Sequence, residues 1–413
     1  MRRRLPPALQ ERDFALLWST ILAMRFAEQM VAVAVGWQVY AIRRNPLDLG
    51  LIGLAEFLPL PLLALPAGHL SDRFPRRLVL AGGIGLNATI AAGLLVVTLH
   101  GATALWPFLA LAAATGVANA IGWPAYGALT PEVVPPEVLP GAMALRSVAS
   151  QTAVVAGPAI GGALFAIHAE VVYATAIGLF GVALLAVARV RSQAAVRDVA
   201  EQVAPRLGDL VAGVRFVLRT RMLLGAIGLD LFGVLLGDSI ALAPVFAATI
   251  LDVGPVGLGA LRAAPSAGAL AAGLLLARRP LRFPAGSTLL VVVGIFGVTM
   301  IVFGLSRSLP LSLAALAVSG FADMISMNIR STTVLLVTPH ELQGRVSAVE
   351  WVFISASNEL GAFESGAVAS LLGTMRAVVL GGALMIGVAA SWPRLFPALA
   401  RMGRLDELEP EPV

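Results

Sequence analysis

Leu78-Val79-Leu80-Ala81-Gly82-Gly83-Ile84-Gly85-Leu86-Asn87-Ala88-Thr89-Ile90-Ala91-Ala92-Gly93-Leu94-Leu95-Val96-Val97-Thr98 carries no charged residue and no alternation of apolar and polar positions. A helix needs about 20 mostly apolar residues to cross the roughly 30 Å hydrocarbon layer of a bilayer. This stretch is long enough, and it is not alone. Similar runs recur along the 413 residues, of which 58% are hydrophobic and 13% charged, with a mean hydropathy of +0.88. A soluble domain with so little polar surface would precipitate. A β-barrel also satisfies the backbone in lipid, but it needs strands of about ten residues with strict alternation, and that pattern is missing. The chain reads as an all-α membrane protein.

Span-length runs fall near 14–41, 48–69, 78–98, 104–128, 143–166 and 171–190, then near 222–247, 254–277, 285–305, 309–335, 345–372 and 375–397. The expectation is twelve transmembrane helices in two six-helix pseudo-symmetric bundles. The first bundle takes residues 1–190 and the second takes 222–413 with a short cytoplasmic tail. The Arg-rich linker 191–221 holds an amphipathic stretch, Leu207 to Leu218, expected to lie on the membrane surface. The first run carries Arg25 and Glu28 and is span-length, so it reads as a retained helix rather than a secretory signal.

There is no Cys, and all 29 basic residues are Arg. Disulfide and thiol chemistry are therefore excluded. The net charge of +5 comes from arginines flanking the spans, so nucleic acid is not an expected partner. Arg2, Arg3, Arg4, Arg12, Arg73, Arg76, Arg77, Arg278, Arg279, Arg282, Arg345, Arg401 and Arg404 fall on one side with the linker arginines. Arg43, Arg44, Arg307 and Arg376 fall on the other. The positive-inside rule places both termini in the cytoplasm, in a multi-pass protein of the cell (inner) membrane. The four His are widely spaced, no His-Glu-x-x-His or nucleophile elbow occurs, and no Walker loop is present. No metal, cofactor or enzymatic activity is expected.

The halves repeat weakly. Leu51-Ile52-Gly53-Leu54 with Pro59 matches Gly257-Leu258-Gly259-Ala260 with Pro265. Thr130-Pro131-Glu132 matches Thr338-Pro339-His340 at nearly the same offset, about 206 residues. Parallel duplications of this kind belong to transporters whose substrate site lies near mid-bilayer.

Gly68-His69-Leu70-Ser71-Asp72-Arg73-Phe74-Pro75-Arg76-Arg77 resembles the signature loop of the major facilitator superfamily, with Pro75 where that family usually has Gly. The resemblance implies a cytoplasmic gate of Gly68, Asp72, Arg73, Arg76, Arg77, Arg345 and Glu350, in which Asp72 approaches the start of the eleventh helix. Ala153-Val154-Val155-Ala156-Gly157-Pro158-Ala159-Ile160-Gly161-Gly162 resembles the fifth-helix motif of exporters in that superfamily, with Ala153 for its first Gly. Gly157, Pro158, Gly161 and Gly162 would then pack helices closely. The fourth helix, with Thr115-Gly116-Val117-Ala118-Asn119, lacks the Arg of the drug/proton antiporter motif. Arg12-Asp13-Phe14, Leu58–Pro66 and Gly344-Arg345-Val346 are similar to the transmembrane secretion effector branch, which includes the enterobactin exporter and macrolide efflux proteins. That resemblance implies export of a small amphipathic molecule, siderophore or drug-like, by a monomer using alternating access.

Ionisable groups in hydrocarbon are costly and so mark function. Here they are Arg25, Glu28, Glu56, Asp230, Asp238, Asp323, Arg330, Glu350, Glu359 and Glu364. Acids outnumber bases, as proton-coupled antiport requires. Arg25 and Glu28 share a helix face and suit an ion pair. With Gln29, Asn119 and Asn358 they are the candidate substrate contacts. Asp230, Asp323 and Glu359 are the candidate proton carriers. Glu350, about one turn into the eleventh helix, suits a pairing with Arg73 or Arg330. Asp238 and Glu364 fall near the outer surface, and Glu56 is undecided. The alternative readings are an uptake or lipid-flipping carrier and a non-transporting membrane protein.

Overall fold

The computed structural model describes residues 6–63, 66, 73–191, 207–237, 239–279, 281 and 283–407. Among them all regular structure is helical. The long helices are α1 (Arg12–Arg43), α2 (Pro46–Leu63), α3 (Arg76–Leu99), α4 (Trp106–Leu129), α5 (Leu139–Ile167) and α6 (Ala169–Ala188). After the linker helix α7 (Leu207–Arg219) come α8 (Arg221–Gly237), α9 (Gly254–Arg278), α10 (Ala285–Leu305), α11 (Leu309–Val337), α12 (Gln343–Leu372) and α13 (Thr374–Leu395). The span that begins with α8 continues to Ile250. Eleven of these helices are long and apolar enough to cross a membrane. The twelfth long helix, α12, has 30 residues but carries Arg345, Glu350, Glu359 and Glu364, so it is long enough and too polar. The twelve expected spans are therefore present as helices, and one of them stands out by its charge.

Local chemistry sets the breaks. Arg44 adopts a left-handed conformation (φ 52°), and its N–H closes α1 on the Tyr40 carbonyl at 2.8 Å. Asn45 Oδ1 then accepts the Leu47 N–H at 3.0 Å, with Pro46 opening α2. Two residues thus suffice to reverse the chain. Gly373 (φ 87°) makes the comparable turn from α12 to α13, where a side chain would be strained.

The chain forms two compact units. The first takes in Met1–Arg44, Ala55–Ala204 and Gly254–Ala263, and the second Asn45–Leu54, Pro205–Val253 and Ala264–Val413. In the first, α1 packs on α5 and α6, and α3 packs on α4 and α6. Leu17, Ile21, Met24, Ala27, Ile84 and Phe180 fill its core. In the second, α8 packs on α12 and α13, and α10 packs on α11 and α13. Leu229, Leu289, Val293, Ile329, Met385 and Trp392 fill that core. The pairings are the same once each helix number is raised by seven, so the weak sequence repeat corresponds to a repeated packing plan.

Small residues make these contacts possible. Gly157 and Gly161 of α5 lie on Gln29 and Met30 of α1. A methyl group on Gly161 would come within 2.9 Å of the Met30 Cα. Gly162 faces Gly259 of α9, where a methyl would lie 3.0 Å from the Gly259 Cα. Lipid supplies no hydrophobic drive between helices, so association rests on such close packing and on buried polar links. One link joins three helices: the Tyr173 hydroxyl donates to Gln38 Oε1 at 2.5 Å, and Gln38 Nε2 donates to Thr98 Oγ1 at 3.1 Å.

The amphipathic stretch does more than lie on a surface. Phe216 and Val217 of α7 are buried with Val334 and Val337 of α11, Val346 and Val349 of α12, and Leu223 and Ile227 of α8. The linker helix is docked onto the second unit.

Gly161→Ala forces a methyl against Met30 backbone that cannot yield. It is expected to cost about 1–3 kcal/mol and to lower the thermal midpoint of the purified protein in detergent. Gly178→Ala, where a methyl meets open space, should leave that midpoint unchanged.

Candidate functional site

The second unit holds an ion pair deep among apolar helices. Asp230 of α8 binds Arg330 of α11 through Oδ1 and Nη1, and their side chains are 10% and 9% exposed. Glu350 of α12 feels the charges of both. Three helices therefore bring one guanidinium and two carboxyl groups within electrostatic reach of one another. Arg330 Nε is buried and has no hydrogen-bond partner among the described residues. A guanidinium carries five N–H donors. This one has donor capacity left for a second acceptor, and Glu350 is the nearby carboxylate that also acts on it.

Asp230 faces a second feature. Together with Asp323 and Ser326 of α11 it lines a small open pocket of about 20 Å³, with Phe296, Gly233 and Met385 also in its walls. That is room for about one water. Asp323, Ser326 and Arg330 stand at i, i+3 and i+7, so they share one face of α11. Two carboxylates around a water-sized space can pass a proton between them through one solvent molecule. Asp230 is common to the ion pair and the cavity.

The other acids of α12 sit differently. Glu359 covers Gly53 of α2; a methyl on Gly53 would lie 3.0 Å from Glu359 Oε2. Asn358 is exposed and Glu364 half-buried. Asp238 lies outside the described residues.

In the first unit, Arg25 Nη1 binds Glu28 Oε2 at 2.8 Å, one turn along α1. The Arg25 guanidinium also stacks over Trp123 of α4, 5.7 Å from the ring centre. Cations gain from the negative face of an indole, the more so away from water. Asn119 of α4 donates to Glu56 Oε1 of α2 at 3.3 Å. Arg25 and Glu28 of α1 with Trp123 of α4, and Asn119 of α4 with Glu56 of α2, are thus two polar links in this unit. Gln29 packs its aliphatic stem on Gly157.

The gate residues are spread out. Gly68 and Asp72 lie outside the described residues, and Arg73 is exposed. Arg76 Nη1 binds Glu132 Oε1 at 2.7 Å, tying the start of α3 to the turn after α4. Arg77 Nη1 donates to the Val190 carbonyl at 3.1 Å, beyond the end of α6. Arg345 is exposed, and its carbonyl abuts Gly213 of α7. Glu350 belongs with Arg330 and Asp230.

Sequence reasoning names Asp230 and Arg330 separately and does not join them, because they are far apart in the chain. The i, i+3, i+7 spacing on α11 is the signal that groups Asp323 with Arg330. Arg262 on α9 is a further half-buried charge with interaction partners, which the sequence reading omits.

Removing one member of a buried pair strands the other. Arg330→Gln is expected to cost about 3–5 kcal/mol. Adding Asp230→Asn to it should return about 1 kcal/mol or more through the coupling of the two sites. A double-mutant cycle on unfolding in detergent measures both, and strict additivity would mean that the two groups do not interact.

The chain matches the transmembrane secretion effector family over residues 5–407. An uncharacterized MFS-type transporter of Bacillus subtilis (strain 168), YfiS, is 24% identical to it over 369 residues, covering 84% of each chain. Among solved structures, a bacterial homologue of the human lysosomal transporter Spinster superposes with a TM-score of 0.72 at 16% identity, over 94% of this chain and 97% of that one. The nucleoside transporter NupG superposes with a TM-score of 0.73 at 12% identity, over 94% and 99%. A bacterial homologue of the iron transporter ferroportin does so with a TM-score of 0.68 at 17% identity, over 92% and 98%. These likenesses establish the fold. Helices, charge placement and family match lead to one assignment: the chain belongs to the transmembrane secretion effector family of the major facilitator superfamily, and it is a membrane transporter rather than an enzyme.

Proposed function

We propose that this transporter exports a small amphipathic molecule from the cytoplasm by alternating access, in exchange for protons. The observation that carries this reading is the Asp230 carboxylate, shared between a buried guanidinium and a cavity that also holds Asp323. Protonation of Asp230 removes the charge that holds Arg330, and the guanidinium passes to Glu350. Deprotonation restores the first pair. The switch changes contacts among α8, α11 and α12, which is the kind of discrete rearrangement that can bias a two-state transporter. Glu359 is a further proton carrier in this reading. Arg25, Glu28, Gln29 and Asn119 in the first unit, with Asn358 in the second, supply substrate contacts. The indole of Trp123 adds an aromatic surface suited to an amphipathic cargo.

The Arg distribution further supports a protein of the cell (inner) membrane with both termini and the linker in the cytoplasm, and the superfamily resemblance implies a monomer.

Two experiments test this. In everted vesicles acidified by respiration, a transported compound should discharge the pH gradient, read as recovery of a quenched dye. A macrolide and a catecholate are the first compounds to add. Asp230→Asn and Asp323→Asn should abolish the recovery while the protein stays in the membrane. Flux that ignores the imposed gradient removes the proton from the mechanism, and accumulation in right-side-out vesicles means uptake. For topology, the absence of native Cys makes single-cysteine labelling clean. Arg307→Cys should react with an impermeant maleimide on whole cells, and Arg279→Cys only after permeabilisation. The reverse pattern inverts the orientation.

A further inference from the structure

The exposed side of α7 is not uniformly polar. Gly213, Phe216, Val217 and Thr220 are buried against the second unit, while Val214, Arg215, Leu218 and Arg219 face outward. That outward side is divided in two. Val214 and Leu218, 37% and 60% exposed, form an apolar row one turn apart. Arg215 and Arg219 form a cationic row beside it, and Arg221 continues the charge at the start of α8. No carboxylate among the described residues pairs with Arg215, Arg219 or Arg221. Water solvates the guanidiniums but not the apolar row beside them, so an occupant that offers alkyl chains and an anion together fits the whole surface better than water does.

Place in the fold narrows the occupant. Thr220 is the single residue between α7 and α8, and α8 opens a membrane span. The buried side of α7 rests on the end of α11 and the start of α12. The helix therefore sits where spans emerge, at headgroup level. Phospholipid supplies both demands together, with acyl carbons against Val214 and Leu218 and phosphate oxygens against the forked N–H groups of arginine.

We infer that Val214, Arg215, Leu218 and Arg219 form a binding site for an anionic phospholipid of the adjoining leaflet. The site requires only that the chain is embedded in a bilayer, so it stands apart from export direction and proton exchange. Its position gives it leverage. Gly213 lies against the Arg345 carbonyl, where a methyl would come within 2.9 Å. The helix that would bear the headgroup is thus in direct contact with α12, the helix that carries Glu350 and Glu359.

The test uses the full-length protein in neutral detergent, with native mass spectrometry to count lipids retained after adding phosphatidylglycerol or phosphatidylcholine. The wild type should retain phosphatidylglycerol in preference. Each arginine near an anionic surface contributes enough to change retention about 5-fold, so R215Q/R219Q should lose most of the preference. R278Q/R279Q removes equal charge from the exposed end of α9 and should keep it. Phosphatidylglycerol should also raise the thermal midpoint of the wild type and not that of R215Q/R219Q. Equal retention of both lipids overturns the inference. So does an equal loss in the two double variants, which would mean diffuse attraction, or displacement of the lipid by excess inorganic phosphate, which would mean a site for the free ion.

Discussion

Charge in hydrocarbon has few escapes: it must meet an opposite charge, take or lose a proton, or reach water. That constraint organises the second unit. α8 is apolar along nearly its whole length, yet Asp230 interrupts it. The interruption is tolerable because α11 presents Arg330 at the same place and α12 adds Glu350. The helices are thereby fixed in rotation as well as position. A turn of α11 by one residue would carry Arg330 off Asp230 and leave both ions unpaired in a dry core. The same turn would take Asp323 and Ser326 away from the cavity. Packing alone, with its interchangeable Leu and Val, would specify that rotation far less sharply.

The two units share a packing plan and differ in how they hold charge. In the first, Arg25 and Glu28 neutralise each other along a single helix and lean on Trp123. Such a pair travels with α1, and its contact with a neighbouring helix is an aromatic face rather than a counter-ion. In the second, the partners stand on different helices, so the bond between them is also a bond between helices. The two units offer similar scaffolds, and the place of the counter-ion gives one a local pair and the other a cross-helix pair. The second arrangement ties two helices together through charge; the first confines its charge pair to one helix.

The span pattern is legible in the sequence because hydrophobicity is a property of local composition. Leu78–Thr98 identifies itself, and the range 285–305 coincides with α10. The small-residue run at Gly157, Gly161 and Gly162 is legible too, since close approach demands glycine whatever the partner. The partners are not: that Gly161 meets Met30 and Gly162 meets Gly259 depends on helix rotation, which spacing within one helix does not set. Asp230 and Arg330 are hidden for the same reason. α12 shows the limit of reading by hydropathy. Its three acids push it below the threshold of an apolar span, although its length and its neighbours make it one of the bundle. The amphipathic period of α7 is plain, but a sequence cannot say whether its apolar side meets lipid or protein, and here it divides between an inner protein contact and an outer apolar row.

One joint in the chain has a mechanical consequence. The Thr220 N–H bonds the Phe216 carbonyl at 3.0 Å, and the Leu224 N–H bonds the Thr220 carbonyl at 2.9 Å. Hydrogen bonding thus runs from the linker helix into the span without slack. A lean of α8 is passed through this elbow to α7 as a lever passes the motion of its handle. The linker helix is then a pointer whose angle reports the posture of the helix that bears Asp230.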